Sequence, residues 1–226
     1  MDWNKIPVAG YVFFAIFLLV SLIHLIFCFY ENEKWRKITK CLTTGSLFIA
    51  LVIAIPAHPL PYIGLFLGLL GDFFLLKKHK VWPFALGLIS FLAGHVVYIA
   101  EIFLLTGELS WGYIVSFVFY LVIFPIAFYN LIHRLIHQRH LAFGGTLYAA
   151  VISSALLMTI FSLANGASEY MVLVLLGYIA FIISDTMLAL TLFKRNIKRR
   201  DFFIMSTYLL AQGLIAVGFC FYLLFA

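Results

Sequence analysis

Residues 168–200 read SEYMVLVLLGYIAFIISDTMLALTLFKRNIKRR. From Ser168 to Phe193 only Glu169 and Asp185 carry charge; then Lys194, Arg195, Lys198, Arg199 and Arg200 arrive together. An apolar run of this length meets the roughly 20 residues that a helix needs to cross a bilayer. A basic cluster at its end is the mark of a cytoplasmic loop. Inside the run stands a carboxylate, Asp185, which costs several kcal/mol in hydrocarbon unless it is neutral, paired or wet.

The rest of the chain repeats this pattern. It is an all-α, polytopic integral membrane bundle of eight expected transmembrane helices, at about 9–30, 38–56, 59–77, 82–105, 111–131, 141–164, 168–193 and 202–225. The odd-numbered loops and their flanks hold Lys34, Arg36, Lys37 and Lys40; Lys77, Lys78 and Lys80; Arg134 and Arg139; and the cluster after Phe193. That leaves Lys5 as the one basic residue elsewhere. Such separation places both termini on the non-cytoplasmic side. A seven-helix reading would put basic loops on both faces.

Composition agrees. Of 226 residues, 65% are hydrophobic and 11% charged, against about half and a quarter in soluble domains. One domain over residues 1–226 suffices, with no added soluble domain. The first apolar run follows Asp2, Trp3 and Lys5 without a cleavage-site pattern, so it is expected as a retained helix rather than a signal peptide. The net charge of +6 does not point to nucleic acid, because it is confined to short loops that suit an anionic lipid surface. Cys28, Cys41 and Cys220 are an odd set in apolar segments and read as packing residues.

A second intramembrane carboxylate, Asp72, follows Gly64 and Gly68 on one stripe of the third span. It lies five residues before Lys77, roughly 7–8 Å along the axis, whereas Asp185 lies nine residues before Lys194, roughly 13 Å in. The fourth span presents Gly87, Phe91, Gly94, His95, Tyr98 and Glu101 on one broad face. The seventh repeats that spacing with Gly177, Phe181, Ser184, Asp185 and Leu188, where Ser184 is placed to orient Asp185. The eighth carries Tyr208 and Gln212 one turn apart. Lys40 is expected to open the second span, followed by Thr43 and Thr44, as an anchor for a lipid phosphate. Singly, each of these has a packing explanation, and Gln212 is ordinary interhelical glue. His133, His137 and His140 fall on one helix face without an acidic partner and read as a solvated basic loop, not a metal site. Asp72 and Asp185 stand half a chain apart, a slight hint of duplication that rests only on a small-Asp-x-x-Leu pattern.

The set taken together says more. If the third, fourth, seventh and eighth spans surround one hydrated chamber, Asp72, Asp185, His95, Tyr98, Tyr208 and Gln212 satisfy one another. Two carboxylates in unequal surroundings then supply an acid and a base. The alternative is a proton- or cation-coupled transporter using both Asp residues, although Pro125 is the only clear mid-span proline and broken helices are not evident.

At these residues the chain resembles the YhhN family of membrane lysoplasmalogenases. The resemblance runs through Lys40-Cys41-Leu42-Thr43, Leu69-Leu70-Gly71-Asp72, Gly87 with Phe91-Leu92-Ala93-Gly94-His95 and Tyr98, Phe181 with Ser184-Asp185, and Tyr208-Leu209-Leu210-Ala211-Gln212 with Leu214-Ile215. The family often has Pro where this chain has Cys41, and Asn can stand at the Asp185 position. The resemblance implies hydrolysis of the vinyl ether bond of a lysoplasmalogen, giving a fatty aldehyde and glycerophospho-ethanolamine or glycerophospho-choline, with no cofactor and no metal. Asp72 and Asp185 would be the catalytic pair, and Lys40, His95, Tyr98, Ser184, Tyr208 and Gln212 would bind substrate. Partners would be the lysophospholipid and membrane lipids, and the location the inner membrane in a bacterium.

Overall fold

The computed structural model describes residues 3–76, 81–107, 110–135, 139–193 and 198–226. A short 3-10 turn at Trp3–Lys5 precedes eight helices: α1 (Val8–Phe29), α2 (Glu33–Ala54), α3 (Pro59–Leu75), α4 (Val81–Thr106), α5 (Trp111–Leu135), α6 (Arg139–Ala164), α7 (Met171–Phe193) and α8 (Arg200–Phe225). No strand occurs among the described residues. Seven of the helices are long and apolar enough to cross a membrane, and α3, with 17 residues, is shorter. The chain is a multi-pass integral membrane protein.

Most helix ends fall within about three residues of the ranges expected for the spans. The exceptions are the head of α2 and the tail of α5. The break expected from Glu31 to Lys37 is largely helix. Asn32 caps α2 by accepting from the Trp35 amide at 3.3 Å, and Glu33 pairs with Lys37 one turn on at 2.6 Å. Capping and the (i, i+4) pair start the helix inside the charged segment. Lys40 therefore does not open α2 but sits two turns inside it. Pro125 lies within α5, which continues through it to Leu135. Neighbouring groups can absorb the freed carbonyl of such a proline.

Sequential antiparallel hairpins form the bundle: α1 with α2, α3 with α4, α5 with α6, and α7 with α8. Helix α8 is the hub, packing also on α1, α2 and α3, whereas α6 lies between α4 and α7 and α5 rides outside on α6. Close approach in two hairpins depends on glycine. A Cβ on Gly64 would lie 2.5 Å from Tyr98 Cε1, and one on Gly177 would lie 2.6 Å from Ile215 Cγ1. These are the small-residue seams that let membrane helices approach without hydrophobic drive.

The two ends of the bundle differ. At one, the Lys5 ammonium donates to the Leu224 carbonyl at 2.6 Å and Trp3 packs on Phe221 and Phe225, so both termini meet. At the other, Arg36 pairs with Asp201, and the Arg199 guanidinium lies 3.8 Å from the Phe29 ring centre. The first and seventh basic segments are thus neighbours in space.

Candidate functional site

The site forms toward this basic end, where α2, α3, α4, α6, α7 and α8 converge. Asp72 is fully buried. Its Oδ2 accepts from Thr44 Oγ1 at 2.6 Å and from the Tyr208 hydroxyl at 2.7 Å. Its Oδ1 meets the Lys40 ammonium at 3.0 Å, an ion-pair contact without hydrogen-bond alignment. Lys40 reaches this point because α2 starts early, and its ammonium also lies 6.0 Å from the Tyr208 ring centre. A buried carboxylate with one cation and two hydroxyl donors is compensated; stripped of the cation it would be strongly destabilising.

Asp185 is half-buried and accepts from the Tyr148 hydroxyl at 2.8 Å. Tyr148 is within electrostatic reach of both carboxylates, and Lys40 within reach of Asp185. An unbroken run of ring contacts joins the two acids. His95 lies 6.3 Å from Tyr148 and 4.6 Å from Phe181, and Phe181 lies 5.6 Å from Tyr208. Gln212 Nε2 donates to the Tyr208 hydroxyl at 3.2 Å.

The residues expected from sequence are therefore brought to one place. Asp72, Asp185, His95, Tyr208, Gln212 and Lys40 share it directly. Tyr98 lies at its inner edge, 6.2 Å from His95 and packed on the Phe219 ring. Ser184 does something different: its hydroxyl donates to the Ile204 carbonyl at 3.1 Å and staples α7 to α8. Glu101, also buried, lies farther along α4, where it interacts electrostatically with His58. His137 and the side chains of His133 and His140 lie outside the described residues.

The expected chamber is instead a close-packed cluster. Asp72, His95, Tyr98, Phe181, Tyr208 and Gln212 are each at most 5% exposed. Lys40, with a side chain 20% exposed, and Asp185 form its accessible side. Both ring nitrogens of His95 and the Gln212 carbonyl lack a partner among the described residues. Buried orphans of this kind cost about 1–3 kcal/mol each. No three His, Cys, Asp or Glu side chains gather as a metal would need, among the described residues.

Two members were not found from sequence. Thr44 was visible beside Lys40, but nothing local tied it to Asp72. Tyr148 is one of 12 tyrosines and has no motif around it; only the placement of α6 between α4 and α7 aims it at Asp185.

No curated protein and no solved structure matches the chain. A family model does, over residues 35–219. That stretch runs from Trp35 in the first turn of α2 to Phe219 in α8 and includes every member of the cluster. On this match the chain belongs to the YhhN family.

Proposed function

We propose that the chain is a lysoplasmalogenase-like hydrolase, with eight spans and both termini on the non-cytoplasmic side, resident in the inner membrane if the cell is bacterial. Family membership is consistent with the role. The observation that carries the reading is that two intramembrane carboxylates from remote helices lie at the two ends of one run of ring contacts, one paired with a cation and the other not in contact with one among the described residues.

A vinyl ether is electron-rich and hydrolyses by protonation on carbon. Asp185, which accepts from the Tyr148 hydroxyl and meets no cation among the described residues, is assigned as the proton donor to the alkenyl carbon remote from oxygen. The positive charge that develops at the ether carbon is oxocarbenium-like. Asp72, held as a carboxylate by Lys40, Thr44 and Tyr208, faces that charge and takes a proton from water as the new C–O bond forms. The product is a hemiacetal. Its collapse returns both protons: Asp72 gives one to the leaving glycerol oxygen, and Asp185 recovers one from the hemiacetal hydroxyl. Water is consumed, and a fatty aldehyde and a glycerophosphodiester leave. The division of roles follows the paired-carboxylate logic of glycosidases. The headgroup phosphate would share Lys40 at the rim. Because the cluster is close-packed, an alkenyl chain enters only as helices part.

The test is product analysis by mass spectrometry, with purified protein and alkenyl, alkyl and acyl lysophospholipids. Aldehyde from the alkenyl lipid alone is expected, together with its loss in folded Asp72→Asn and Asp185→Asn variants. Full activity in both variants would end the assignment. Ion uptake by proteoliposomes without aldehyde would favour the transporter.

A further inference from the structure

Besides Asp72 Oδ1, which faces the Lys40 ammonium, four buried polar atoms around the cluster have no hydrogen-bond partner among the described residues: His95 Nδ1 and Nε2, Gln212 Oε1 and the Tyr178 hydroxyl. Their residues are 2%, 4% and 0% exposed. They come from three helices, α4, α8 and α7, and are linked directly or through shared neighbours. The His95 and Tyr178 ring centres are 5.8 Å apart. His95 and Tyr208 pack on the same Phe181 ring, and Gln212 is bonded to Tyr208. Along their helices, His95 lies one turn inward of Phe91, and Gln212 one turn inward of Tyr208. The orphans thus form a layer just inboard of the carboxylates.

Buried polar groups in native proteins find partners, and exceptions call for an explanation. Here the unmet capacity has a definite shape. A neutral imidazole offers one donor and one acceptor, the glutamine carbonyl an acceptor, and the phenol both. A hydroxyl group, which donates once and accepts twice, can accept from one His95 nitrogen and from the phenol and donate to the glutamine carbonyl, leaving the second ring nitrogen to another partner. Apolar surroundings explain the rest: Phe91, Phe181 and Tyr98 enclose the layer and leave no bulk water to satisfy it.

We infer that His95, Gln212 and Tyr178 form a binding site for one hydroxyl group, supplied either by water or by the free glycerol hydroxyl of a lysolipid. The inference rests on the proposed reaction for the meaning of these two sources. Water held there would be the hydrolytic nucleophile. The glycerol hydroxyl would instead make the site select lysolipids, since a buried hydrogen-bonding site strongly rejects analogues lacking the group.

The experiment uses the full chain in lipid nanodiscs with 15N-labelled histidine, the His95 signals being those missing from His95→Phe. Imidazole 15N shifts are recorded without ligand, with a non-cleavable alkyl lysophospholipid, and with its 2-deoxy analogue. A hydrogen-bonded His95 nitrogen in all three states identifies water. A hydrogen-bonded nitrogen that appears only with the 2-hydroxy lipid identifies the glycerol hydroxyl. Unbonded nitrogens in all three states overturn the site. This readout needs no turnover, so failure of vinyl ether cleavage and failure of the site are distinguishable. Gln212→Leu gives a second measure, with an expected fall in kcat/KM of about tenfold or more at unchanged Tm. For water the fall is in kcat and is equal for cleavable 2-hydroxy and 2-deoxy substrates; for the glycerol hydroxyl it is confined to the 2-hydroxy substrate. Wild-type kinetics on both substrates would overturn the role of Gln212.

Discussion

Replacing Lys40 with Met removes the cation from Asp72 and leaves its carboxylate fully buried with two hydroxyl donors. Removing one partner of a buried pair costs about 3–5 kcal/mol. The lower end applies here, because the Lys40 side chain is 20% exposed and part of the pair is already solvated. About 3 kcal/mol corresponds to a fall in Tm of about 6–12 °C for a chain of this size. Asp72→Asn is milder, at about 1–2 kcal/mol, since an amide oxygen still accepts from Thr44 and Tyr208 and the freed ammonium can turn to the rim. In the double variant no charge is stranded. Its cost should match that of Asp72→Asn alone, giving a coupling equal to the whole Lys40→Met cost, about 3 kcal/mol. Thermal unfolding of the four proteins in one detergent measures the cycle. If Lys40→Met costs as much in the Asp72→Asn background as in the wild type, the pair is not what holds Asp72, and the assignment of Asp72 as the ionised partner falls with it.

Two further outcomes follow from the same geometry. Tyr148→Phe keeps the ring against His95 and removes only the hydroxyl donated to Asp185. A hydrogen bond to a neutral carboxylic acid is worth about 0.5–1.5 kcal/mol, so aldehyde release should fall by about 2–10-fold and Tm by no more than about 6 °C. An unaltered rate would remove Tyr148 from the site. Gly64→Ala would place a methyl 2.5 Å from a Tyr98 ring that is 3% exposed. Overpacking of this kind costs about 1–3 kcal/mol. Thermal unfolding should show the loss, and Tyr98→Leu in the same chain should recover part of it.

The helical elements and their approximate bounds were legible because hydropathy and charge are one-dimensional quantities. A bilayer reads them along the chain, and a run of apolar residues ended by Lys and Arg has few other solutions. The intramembrane acids were legible for the same reason: Asp72 and Asp185 are expensive wherever the helices point. The early start of α2 was less visible, because the polar Asn32 that caps it and the charged Glu33 and Lys37 that pair within it look like loop residues in a hydropathy count.

What each acid touches was decided by tertiary structure alone. Ser184, adjacent to Asp185 in sequence, turns to the Ile204 carbonyl, while Tyr148, 37 positions away, supplies the hydroxyl. Lys40 and Thr44 come to Asp72 from α2, and Tyr208 from α8, across separations of 28 and 136 residues for the two hydroxyl donors. Spacing on a helix fixes which face a side chain occupies, but the partner on that face depends on where glycine seams such as Gly64 against Tyr98 let a second helix settle. A residue's own sequence neighbourhood carries no record of that approach, so the intramembrane cost of the carboxylates could be read from the chain and its compensation could not.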